Sequence, residues 1–156
     1  MLKSGLPAPD FSLPRDGGDI VTLSRLKPGA VVLFFYPRDD TSGCTRESIA
    51  FTDLLADFDA AGATVLGISK DSVKKHERFR DKHALKVALL SDEDSDVCER
   101  YGVWVEKKMY GRTFMGIERS TVLIDGAGVI SQFWRKVKVD GHAQEVLAAA
   151  QALATP

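Results

Sequence analysis

Cys44 stands where the apolar run Phe34-Phe35-Tyr36 stops at Pro37 and a helical pattern begins near Ser42, with Arg38 and Arg46 on either side. Cysteine reacts through its thiolate, and a free thiol with a pKa of about 8.5 is mostly protonated at neutral pH. Unpaired amides at a helix N-terminus and nearby cations favour the anion, so this placement suits nucleophilic sulfur chemistry. The bland reading is a small apolar side chain filling a strand-to-helix junction, a common fate of free cysteine. What surrounds the sulfur decides between the two.

Thr41, three residues earlier, carries a hydroxyl fit either for an N-cap or for a bound oxygen. Glu47 falls one helical turn after Cys44. There it either orients Arg46 or Arg119 through an ion pair or remains a solvated helix charge. Arg46 lies in a first helical turn, where the macrodipole disfavours a cation, which is weak evidence for a thiolate partner. Tyr36 and Trp134 read as core aromatics, and His76 and His83, seven apart on a polar helix, as solvated surface. The histidines show no zinc-type spacing with one another or with the two cysteines, so neither a metal nor a cofactor is expected.

These side chains need a scaffold, and the apolar pattern supplies one. Phe11 to Pro14 and Ile20 to Leu23 flank Asp16-Gly17-Gly18 as an N-terminal hairpin. Ala30 to Tyr36 and Ala63 to Ser69 are continuous apolar runs, as strands covered on both faces require, and Val87 to Leu90 is a shorter one. A helix from about Ser42 to Ala61 places Phe51, Leu54, Leu55 and Phe58 in one stripe and stops at Gly62. A polar helix capped by Asp71 or Ser72 runs to His83, and an acidic one spans Asp92 to Tyr101. After a basic loop, strands at Ser120 to Ile124 and Val129 to Trp134 enclose Asp125-Gly126-Ala127-Gly128. A last helix spans His142 to Ala154. The order predicts an α/β chain of one domain, residues 1–156, with a mixed central sheet flanked by helices and an N-terminal β-hairpin extension.

The 156 residues carry a formal charge of -1, which lacks the one-sided basic footprint of a nucleic-acid binder. No stretch approaches the roughly 18 apolar residues of a membrane span, and the N-terminus has no signal-peptide run, so a cytoplasmic protein with reduced thiols is expected.

Pro37-x-x-x-Thr41-x-x-Cys44 resembles the active-site signature of the peroxiredoxins, and Phe35 to Thr45 resembles their bacterioferritin-comigratory, or Q-type, subfamily. The likeness continues through Tyr101-Gly102-Val103-Trp104, Gly111-Arg112-Thr113 and Gly116 to Asp125. It implies a thioredoxin-like fold and a thiol-dependent peroxidase acting on hydrogen peroxide and organic hydroperoxides through a sulfenic acid on Cys44. By the same resemblance Thr41 offers its hydroxyl to the peroxide, Arg119 holds thiolate and oxygens, and Pro37 fixes the loop and shields the sulfur. The amides at Gly43 and Cys44 complete an anion nest. A monomer is expected on the same ground.

Resolving cysteines of such relatives lie five residues after the first or on the following helix, positions that here hold Ile49 and approximately Arg80. Cys98 remains, beside Val97 and one turn from Tyr101, and reads as a buried structural thiol rather than a resolver. That favours a one-cysteine cycle reduced by thioredoxin, glutaredoxin or a small thiol. A two-cysteine cycle resolved by Cys98 and a peroxide-sensing relay to a partner protein stay open. A disulfide reductase is disfavoured, because position 47 is Glu where a Cys-x-x-Cys pair needs a second sulfur. The stretch Glu106 to Arg112 reads as a solvated loop or a docking surface for the reductant.

Overall fold

In the computed structural model, which describes residues 1–154, two short antiparallel strands open the chain: β1 (Ser12–Pro14) and β2 (Ile20–Thr22). Gly17 and Gly18 turn between them with positive φ, and Asp16 points inward to accept the Leu89 amide at 3.0 Å. Then come β3 (Ala30–Phe35), α1 (Ser42–Asp53), α2 (Leu55–Ala60), β4 (Ala63–Ser69), α3 (Val73–His83), β5 (Ala88–Ser91) and α4 (Val97–Arg100). The hairpin β6 (Trp104–Met109) and β7 (Arg112–Ile117), strands β8 (Ser120–Ile124) and β9 (Ile130–Trp134), and α5 (His142–Ala154) complete it.

Five strands make the central sheet in the order β5-β4-β3-β8-β9, with β3, β4 and β5 parallel and β8 and β9 antiparallel to their neighbours. It is the mixed sheet that the element order predicts. Side chains alternate across β3, so its run feeds two cores. Val32, Phe34 and Tyr36 pack with Cys44, Phe51, Phe58, Phe79 and Val146, beneath α1, α2, α3 and α5. Val31, Leu33 and Phe35 pack on the other face with Leu13, Val97, Cys98 and Tyr101, beneath α4 and the N-terminal hairpin. Removing each such aliphatic or aromatic side chain from water contributes about 1.5–3 kcal/mol, which is why the central strand is apolar throughout.

Four expectations need correction. The helix from Ser42 to Ala61 is two helices, broken at Leu54 (φ -99°, ψ 4°). Phe51 and Phe58 are both buried in the core, while Leu54 and Leu55 lie at its margin. The acidic helix starts at Val97, not Asp92, because the buried Asp92 carboxylate takes the Val97 and Cys98 amides at 3.1 and 2.8 Å and so forms the helix entrance itself. The basic loop is a β-hairpin, turning at Tyr110 and Gly111, both with positive φ. His76, read as solvated, is fully buried, and His83 is half-buried against Asp40.

Candidate active site

β3 ends under Tyr36, and the chain reverses through Pro37 to Thr41 before α1 begins. Asp40 makes the reversal with φ 59°, a left-handed conformation that aspartate tolerates, and Lys82 and His83 of α3 hold its carboxylate at 2.7 and 2.8 Å. Thr41 is extended, so α1 starts at Ser42 and Cys44 falls in its first turn, where helix amides lack intrahelical acceptors. The Cys44 sulfur is thereby set against amide dipoles while the residue is only 1% exposed.

Arg119 reaches this sulfur from the opposite strand system. It lies between β7 and β8, and its carbonyl accepts the Val137 amide at 2.9 Å, which fixes the backbone. From there Nη2 donates to Cys44 Sγ at 3.3 Å, and Nη1 donates to Glu47 Oε1 at 2.6 Å. One guanidinium therefore ties together two residues on adjacent turns of α1. Glycine at position 43 keeps that approach open, since a Cβ there would stand 3.1 Å from Arg119 Nη2.

Glu47 is 1% exposed and its Oε2 has no hydrogen-bond partner. Burial pushes its carboxyl up to about 7, even though the Arg119 charge and hydrogen bond pull the other way. For Arg119 the balance reverses: burial works against the cation, but the charges of Glu47 and Cys44 outweigh it and hold the guanidinium above its ordinary range. The site thus holds its positive charge tightly and its negative charge loosely.

The other sequence-selected residues divide. Thr41 Oγ1 donates to the Arg38 carbonyl at 2.8 Å and makes no capping bond to α1, so its hydroxyl braces the loop. Pro37 is exposed at the head of that loop, and Tyr36 is fully buried behind it. Arg46 turns away from the sulfur and pairs with Asp140 at 2.7 Å on the surface, which removes it as a thiolate partner. Trp134 is half-buried at the edge of the core and donates to Glu145 at 3.3 Å.

Ile49 lies on α1, and Arg80 on α3 pairs with Asp16 and Asp81. Cys98 is fully buried in the opposite core, and burial first, then the Asp92 charge, push its thiol far above the ordinary range.

The family model described as AhpC/TSA matches residues 4–133. The chain belongs to the AhpC/TSA family. A Coxiella burnetii relative is 53% identical over 146 residues, spanning 94% of this chain and 97% of its own. Peroxiredoxin Bcp of Xanthomonas campestris is 48% identical over 149 residues, 94% of this chain and 93% of that one. A solved structure of the Xanthomonas campestris bacterioferritin comigratory protein, from work on its alkyl peroxide reduction, superposes with a TM-score of 0.91 at 45% identity over 97% of this chain and 99% of that one. This family member is a thioredoxin-fold, thiol-dependent peroxidase of the Bcp, or Q-type, branch.

Sequence reading missed two members of the site's surroundings. Lys107 of β6 folds back over Gly116 and donates to the Ile117 carbonyl at 2.5 Å; burial, then the Arg119 charge, lower its pKa. Tyr110-Gly111 between two six-residue runs was the available turn signal for the hairpin that carries it. Asp39 is held from three sides, but a second aspartate in a charged loop carries no sequence mark of burial.

Proposed function

We propose that the chain reduces hydrogen peroxide and small organic hydroperoxides through a sulfenic acid on Cys44, and that an external thiol completes the cycle. The Cys44 thiolate attacks one peroxide oxygen, the O–O bond breaks, and the sulfur becomes Cys–SOH while the other oxygen leaves as hydroxide or alkoxide and takes a proton. Negative charge moves from sulfur to the departing oxygen along one line. A fixed donor set spanning that line stabilises the transition state more than the resting thiolate. The observation that carries this reading is the Arg119 fork, with Nη2 on Sγ at 3.3 Å and Nη1 on Glu47 at 2.6 Å. Glu47 orients the fork, Thr41 and Pro37 shape the loop over the sulfur, and the Gly43 and Cys44 amides add to the anion nest.

An external thiol then attacks the sulfenic sulfur, releases water, and is displaced by a second thiol to regenerate Cys44. Thioredoxin, glutaredoxin and small thiols all supply that chemistry, and the absence of a thiol at Ile49 and Arg80 supports the requirement. A cytoplasmic location fits such a thiol supply. A monomer suffices, because Cys44, Arg119 and Glu47 come from one chain. The test is peroxide consumption measured in parallel with thioredoxin, glutaredoxin and glutathione systems. Cys44→Ser is expected to abolish turnover and Cys98→Ser to leave most of it. Turnover that survives loss of Cys44 sinks the proposal.

A further inference from the structure

The loop that carries Pro37 and Thr41 is anchored by a buried polar chain. Asp39 Oδ1 accepts the Tyr36 hydroxyl at 2.6 Å, Asp39 Oδ2 faces His76 Nδ1 at 2.6 Å, and the Asp39 amide donates to Asp71 Oδ2 at 2.8 Å. The Asp71 carboxylate also takes the Ser69 hydroxyl at 2.6 Å. Asp39, Asp71 and His76 bring three potential metal ligands within 4.8 Å, but Asp39 and His76 bond to each other and Asp71 is taken by the Asp39 amide and the Ser69 hydroxyl. The arrangement is a clasp and not an open coordination shell.

His76 is the informative member. Its Nε2 lies 2.9 Å from the Leu90 carbonyl, which can only accept, so Nε2 carries a hydrogen. Nδ1 then faces a carboxylate that already accepts from Tyr36, whose phenol is kept protonated by burial and by the Asp39 charge. A contact of 2.6 Å between Nδ1 and Asp39 Oδ2 requires a hydrogen between the two atoms. His76 therefore bridges the loop and β5 through two short hydrogen bonds, strengthened by exclusion of water. His76 is 0% exposed, so solvent does not substitute for either partner. The groups facing the ring are Tyr36 from the end of β3, Asp39 from the loop, Asp71 from the turn before α3, and only the Leu90 carbonyl from β5.

We propose that His76, bonded at once to Asp39 and to the Leu90 carbonyl, is a positioning residue for peroxide reduction, clamping the Pro37–Thr41 loop to α3 and β5 so that Thr41 and the first turn of α1 stay registered on the Cys44 sulfur. This rests on the peroxidase reading of that loop and adds to it a residue from a helix that contributes nothing to the sulfur directly.

Two measurements test it. In the reduced wild-type protein, 1H NMR should show a slowly exchanging, downfield hydrogen-bonded proton between His76 Nδ1 and Asp39. Its absence overturns the proposal and needs no variant to fold. In stopped-flow oxidation of Cys44, H76L should slow the rate constant per folded molecule by about tenfold or more, the scale of a misplaced reacting group. H76N keeps a donor near the Nδ1 position and should recover most of that rate, although both variants forfeit the Leu90 bond. Equal rates for H76N and H76L, or no loss in either while the wild type is active, overturn the positioning role alone. A wild type inert toward hydroperoxides overturns the peroxidase reading and this inference with it.

Discussion

Arg119 and Glu47 form a pair whose members have opposite sensitivities. Arg119 is the shared donor, so Arg119→Ala should leave Cys44 in place but slow its oxidation by about 10²-fold or more, the usual loss when one oriented donor to a developing charge is removed. Stopped-flow peroxide oxidation reads this directly. Glu47 belongs to stability as well as to orientation. Burial holds its carboxyl at about 7 against an ordinary 4.5, so between those values the folded protein binds a proton that the unfolded chain has released. The stability this group contributes is fully present below about pH 4.5 and is lost as the pH rises through 7. The span is worth roughly 3 kcal/mol at most. Urea melts across that range should therefore show a decline that Glu47→Gln flattens. A wild-type slope that persists in the glutamine variant assigns the decline to other groups.

At the scale of elements, the site is a meeting of a helix start and a strand entrance, and Gly43 is the gap between them. A Cβ there meets Arg119 Nη2 at 3.1 Å, tighter than ordinary contact, while the backbone of α1 accepts alanine without strain. Gly43→Ala is expected to fold normally and to lower the peroxide rate by about tenfold through displacement of the guanidinium, a small misplacement with a kinetic cost. An unchanged rate would mean that the fork tolerates movement. The same junction explains what the sequence made legible. Continuous apolar runs announce β3 and β4, because strands covered on both faces have no polar side. The motif from Pro37 to Cys44 marks the loop. Arg119 was reachable only through the resemblance, since a strand-edge arginine has no local signature. The burial of His76 was illegible because it depends on partners far along the chain, Asp39 and the Leu90 carbonyl. Polarity suggested a solvated helix, and paired burial overrode it.

At the scale of the whole molecule, the sheet separates the two sulfurs. Cys44 packs in the core with Val32, Phe34 and Tyr36, whereas Cys98 packs with Val31, Leu33 and Phe35 on the other face of the same strand. A disulfide needs Cα atoms within about 7 Å, and a sheet with side chains on both faces stands between them. Burial, then the neighbouring Asp92 charge, push the Cys98 thiol well above its ordinary range, which disfavours the thiolate that attack on a sulfenic acid needs. Bridging the two would require opening α4, whose entrance Asp92 closes through the Val97 and Cys98 amides and through Lys70 at 3.1 Å. Stoichiometric peroxide added to dilute reduced protein should therefore give a Cys44 sulfenic acid, trapped by dimedone, with Cys98 recovered as free thiol after denaturation in alkylating agent. Native alkylation should label Cys44 alone, and both sulfurs should label in denaturant. A Cys44–Cys98 bridge found by peptide mapping under these conditions would mean that α4 opens on the timescale of turnover, and the one-cysteine cycle would give way to a two-cysteine one.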